Sequence, residues 1–146
     1  MLARTNLIGA ILAGAYFLTC ILIFSLRLLG NPEIGRIFGA IQFLAVIPLL
    51  YLLLTAPRFQ RSRLYYLQAL LMLAFLVVEL LLDYIFQVEF RQVRWMVITY
   101  VVFFFAATGG LLGIAHLAGK AWITLDGILY LVMAALAFIQ RGVTGL

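Results

Sequence analysis

Glu79 and Asp83 stand four residues apart in Leu76-Val77-Val78-Glu79-Leu80-Leu81-Leu82-Asp83-Tyr84-Ile85-Phe86, a run that is otherwise almost wholly apolar. On a helix that spacing puts both carboxyls on one face, a turn apart. Two acids this close share negative charge poorly, so the chemistry open to them is to take up a proton or a cation. In hydrocarbon an ionised carboxylate costs roughly 2.5–3.5 kcal/mol on insertion scales. The pair therefore demands partners from other parts of the chain. It is the candidate proton or cation site; a structural ion pair of Asp83 with Arg27 or Arg94, with hydrogen bonds from Tyr100 or Gln42, is the competing reading.

The helices that must carry these groups follow from composition. Of 146 residues, 67% are hydrophobic and 10% charged. A soluble domain needs about 25% charged residues to cover its surface, so the bilayer is the natural solvent. At roughly 20 apolar residues per crossing, the length allows five spans and leaves no room for an extramembrane catalytic domain. The expected fold is all-α, one transmembrane domain over residues 1–146. Its spans lie at about 7–29, 34–55, 64–86, 93–117 and 121–140, joined by short loops and with the termini on opposite sides.

Span entry points then give depth. Span three enters from the N-terminal side, here side A, so Glu79 lies deep and Asp83 nearer side B. Gln42 in span two and Thr99 and Tyr100 in span four enter from side B, Gln42 roughly 12 Å in at 1.5 Å per residue. Arg27 ends span one on that side, and Tyr84 and Arg94 flank the same level. Arg27, Gln42, Tyr84, Arg94, Thr99 and Tyr100 are thus the expected supporting layer around Glu79 and Asp83. Near side A, His116 and Asp126 fall at matching depth on neighbouring spans, a candidate proton relay because His titrates near neutrality; a boundary histidine bonded to a carbonyl or headgroup is the alternative. Gly35/Gly39 and Gly109/Gly113 have the GxxxG spacing that lets membrane helices approach closely, and Pro48 marks a kink within span two.

Charge and cysteine content narrow the classes. Ten basic residues against five acidic give a net charge of +5, but no basic run suits nucleic acid, and the arginines read as headgroup anchors at span ends. Cys20, the single cysteine, cannot form an internal disulfide or a CxxC pair. Thr19 in place of a small residue before Cys20, with apolar sequence continuing through Phe24, indicates a retained first span rather than a cleaved leader. No GxSxG, HExxH or phosphate-binding glycine loop occurs, and neither metal nor cofactor is expected. Side A collects Arg4, Arg58, Arg61, Arg63 and Lys120, side B Arg27, Arg36, Arg91, Arg94 and Arg141. The denser side A cluster, free of loop acids, is expected in the cytoplasm of a prokaryotic inner membrane.

Three functions are consistent with these features, in this order. The first is a transporter- or channel-like protein with a proton or cation site at Glu79 and Asp83. The second is a structural or assembly subunit of a larger membrane complex. The third is a lipid-modifying enzyme using Glu79, Asp83, Glu89, Arg91 and Arg94. The expected partners are the lipid bilayer and either further copies of the chain, through its small-residue faces, or a membrane complex.

Overall fold

In the computed structural model, which describes residues 2–87 and 92–144, every element is helical. Glu89 and Arg91 lie outside the described residues. The first span is α1 (Leu2–Leu28). The second is α2 (Pro32–Gln42) and α3 (Val46–Thr55), joined through a 3₁₀ turn at Phe43–Ala45. The third is α4 (Arg63–Glu79), continued by a π-helical turn at Leu80–Ile85. The fourth and fifth are α5 (Arg94–His116) and α6 (Lys120–Thr144).

These make five apolar helical segments of 23 to 27 residues. At 1.5 Å per residue each exceeds the ~30 Å of a bilayer's hydrocarbon, so all are long and apolar enough to cross a membrane. Their outward faces agree: Leu54 is 80% and Leu131 69% exposed. Large aliphatic side chains displayed this way are at home in lipid, where burying them brings no hydrophobic gain.

Departures from regular helix have local causes. Pro48 has no N–H to offer Leu44 and its ring presses on that carbonyl; the winding tightens to 3₁₀ over Phe43–Ala45, just where that turn is disturbed. Gly30, at φ +82°, makes the reversal between α1 and α2, with the Asn31 N–H donating to the Leu26 carbonyl at 2.8 Å. A positive φ is cheap for glycine and strained for most other residues. Ser62 caps α4 by accepting from the Tyr65 N–H at 3.3 Å.

α1 is the hub, packed against α2, α3, α5 and α6, while α4 packs on α3 and α5. Its Gly9, Ala10, Ala13 and Gly14 are all buried. A Cβ on Gly9 would stand 2.8 Å from the Ile114 side chain of α5, so the bare residue sets how closely those helices pass. Below this small-residue half, Phe17 is fully buried and meets Tyr130 of α6 edge-on at 5.5 Å. On the other flank Phe75 of α4 is fully buried against Tyr100, Phe103 and Phe104 of α5, each ring centroid 5.5 Å away.

Candidate functional site

A cavity of about 630 Å³ opens among the end of α1, the start of α2, the end of the third span, the start of α5 and the end of α6. That these ends meet at one place means that successive spans alternate in direction. Tyr16, Cys20, Gln42, Glu79 and Tyr100 line its deep part. Gln42 is ten residues past the start of α2 and Tyr100 six past the start of α5, or about 15 Å and about 9 Å along their axes. At the mouth stand Arg27, Glu33, Arg36, Asp83 and Arg141, charges of both signs. The walls between are chiefly Ile, Val and Phe.

The deep polar groups are tied to one another. The Tyr100 hydroxyl donates to Glu79 Oε1 at 3.2 Å. Gln42 is buried, and its amide nitrogen donates to Cys20 Sγ at 3.2 Å and to the Tyr16 carbonyl at 3.4 Å. A buried amide with partners is tolerable in apolar surroundings where a bare one is not. Tyr16, Cys20 and Arg27 recur at helical spacing along one face of α1, which therefore supplies one wall from floor to mouth.

The mouth is braced by α2. The Arg36 guanidinium donates to the Asp83 carbonyl at 2.8 Å, the Tyr84 hydroxyl donates back to the Arg36 carbonyl at 2.7 Å, and the guanidinium lies over the Tyr84 ring at 4.8 Å. Carbonyls in the last turn of a helix lack intrahelical partners, and the Asp83 carbonyl, in the π turn, finds its donor on α2. Gly39 makes room for this arrangement, because a Cβ there would collide with the Tyr84 hydroxyl.

The cavity brings together Glu79, Asp83, Arg27, Gln42, Tyr84 and Tyr100 of the expected layer. Arg94 and Thr99 do not join it. Both are exposed, and Thr99 donates to the Trp95 carbonyl of its own helix at 2.9 Å. Consecutive helical residues are turned about 100° apart, so with Tyr100 facing inward Thr99 faces outward at almost the same depth. The His116–Asp126 relay is not formed either. His116 is exposed, whereas Asp126 is fully buried with no hydrogen-bond partner at either oxygen among the described residues. Asp126 faces Gly14 on α1 instead of the end of α5.

The glycine pairs pack helices inside the chain. Gly35 faces Ile23 of α1, Gly113 and Gly110 face Gln68 of α4, and Gly109 lies near the Tyr130 hydroxyl of α6. These faces are occupied by the chain itself. Among the described residues no three His, Cys, Asp or Glu side chains gather into a metal-ligand group. Tyr16, Cys20, Glu33, Arg36 and Arg141 are site residues that sequence reasoning did not select. The spacing of Tyr16 and Cys20 with Arg27 was the available signal for the first two; nothing in the sequence singles out Arg36. No family model, curated protein or solved structure matches the chain.

Proposed function

We propose that the protein is a small transporter- or channel-like membrane protein that passes protons or cations, with Glu79 as the group that exchanges a proton or cation and Asp83 assisting at the mouth. What carries this reading is the placing of the Glu79 carboxyl at the deep end of a cavity whose volume suits a small molecule. Ionisable groups at membrane depth that face a cavity mark ion and substrate pathways. As a carboxylate, Glu79 accepts from the Tyr100 hydroxyl; once protonated it gains an O–H donor beside its remaining acceptor, which changes the hydrogen bonding open to it at the α4–α5 contact. The π turn beside it is the type of helical irregularity found at functional sites. We place the end bearing Arg58, Arg61 and Arg63 in the cytoplasm, so that the cavity opens to the outside of the cell.

The test is proton flux into liposomes carrying the protein, read with an internal pH dye under an imposed pH gradient. Wild type is expected to dissipate the gradient, and Glu79→Gln to fall to the rate of empty liposomes while keeping its melting temperature within a few degrees. Flux in Glu79→Gln equal to wild type ends the transport reading.

A second reading, a structural subunit of a membrane complex, draws on the Arg36–Asp83–Tyr84 bracket, which fixes helix register without any need for transport. In that case Glu79→Gln lowers thermal stability, no protein-dependent flux is found, and a stoichiometric partner appears in native-detergent mass analysis.

A further inference from the structure

Asp126 stands six residues into α6, about 9 Å along its axis, on the inner stripe that continues with Tyr130 and the fully buried Met133. It is 0% exposed, and neither carboxyl oxygen has a hydrogen-bond partner among the described residues. The opposing residue is Gly14, where a Cβ would lie 2.8 Å from Asp126 Oδ1. The carboxyl is thus pressed onto bare backbone whose N–H groups are already used within α1. Among the described residues no ion pair answers it. α6 packs on α1 and α5, whose charged or ionisable end groups are Arg4 and Arg27, and Arg94 and His116; Lys120 and Arg141 stand at the ends of α6 itself. The remaining ionisable groups on these helices are Tyr16, Cys20, Tyr100 and Tyr130. The Tyr130 hydroxyl is committed to the Phe105 carbonyl at 3.2 Å, and that of Tyr100 to Glu79.

A carboxylate in this position would be a bare charge in a low-dielectric seam. The neutral acid leaves only unmade hydrogen bonds, a much smaller penalty. We propose that Asp126 is a proton-binding site that seats α6 on the Gly14 face of α1 as the neutral acid, and that loss of its proton to water drives the two helices apart. α6 has the smallest buried share of the five spans. This site stands independently of Glu79.

Infrared difference spectroscopy of the full chain in lipid, titrated from acid to alkaline pH, reads the proposal. Wild type is expected to show a protonated-carboxyl C=O band that titrates away with alkali and is missing in Asp126→Asn. An unchanged band in that variant overturns the proposal. Spin labels at the exposed positions Ile11 and Leu125 are expected to separate over the same pH range in wild type and to hold one distance in Asp126→Asn. A wild-type distance that does not change while the band is lost overturns the seating role. Should Asp126→Asn fail to fold, Gly14→Ala substitutes: its added methyl must shift the frequency of the same C=O band, and an unshifted band counts against the site.

Discussion

Phe75→Ala is expected to lower the protein's stability by about 3 kcal/mol, the low end for emptying a buried aromatic site, with Phe75→Leu costing about 1 kcal/mol. Inside a bilayer the loss is not hydrophobic transfer, because lipid is as apolar as the core. What disappears is close contact, and a void too small for lipid returns none of it. Phe75 has no exposed surface and three ring partners at 5.5 Å on α5, Tyr100, Phe103 and Phe104. The effect should also reach the site. Tyr100 is steadied by Phe75 and donates to Glu79, so proton flux in Phe75→Ala should fall further than the folded fraction does. Reversible unfolding in mixed micelles measures the first quantity; a variant within about 0.5 kcal/mol of wild type would show that the α4–α5 seam is not packed as described.

Gly39→Ala is the second large effect, about 2 kcal/mol by overpacking. The new methyl collides with the Tyr84 hydroxyl, and Tyr84 has little freedom to yield. Its hydroxyl is bonded to the Arg36 carbonyl at 2.7 Å and its ring meets Phe43 edge-on at 5.1 Å. Removing the obstacle should restore stability, so Tyr84→Phe is expected to be less harmful in the Gly39→Ala background than alone. Gly127→Ala is the control. It has nothing within 4 Å of the added Cβ, and exchanging glycine for alanine within a helix should then gain up to about 1 kcal/mol. Equal responses at the two glycines would remove the steric explanation.

Much of this arrangement could be read from residue order. Apolar runs, broken at Asn31-Pro32, at Pro57, over the polar stretch from Gln87 to Arg94 and after His116, mark the five helical segments. Counting residues inward from those breaks placed Glu79, Gln42, Tyr100 and Arg27 at related depths, and they line one cavity. Rotation about each helix axis was not readable in the same way. Thr99 and Tyr100 share a depth, yet neighbouring residues face about 100° apart, and only the packing of Phe75 on α5 decides which of them turns inward. Asp126 departs from its expected place in both respects: it stands about 9 Å along α6, deeper than His116 at the end of α5, and its azimuth points to Gly14. Small-residue spacings announce close approach without naming the neighbour, so Gly113 could not be assigned to Gln68 from sequence. The π turn at Leu80–Ile85 leaves no compositional trace, and the capping of its Asp83 carbonyl by Arg36 depends on a contact 47 positions away in the chain.

The most direct examination of the central claim, that Glu79 faces a water-reached cavity, is side-specific labelling of Glu79→Cys. In a Cys20→Ser background, a membrane-impermeant thiosulfonate reagent needs water around the thiolate to react. The expected result is rapid modification of Glu79→Cys from one face of the membrane only, with Phe75→Cys, deep in the α4–α5 seam, and outward-facing Leu131→Cys both inert. A Glu79→Cys as unreactive as those two would mean that the carboxyl lies in a dry seam, and the transport reading would fall with it.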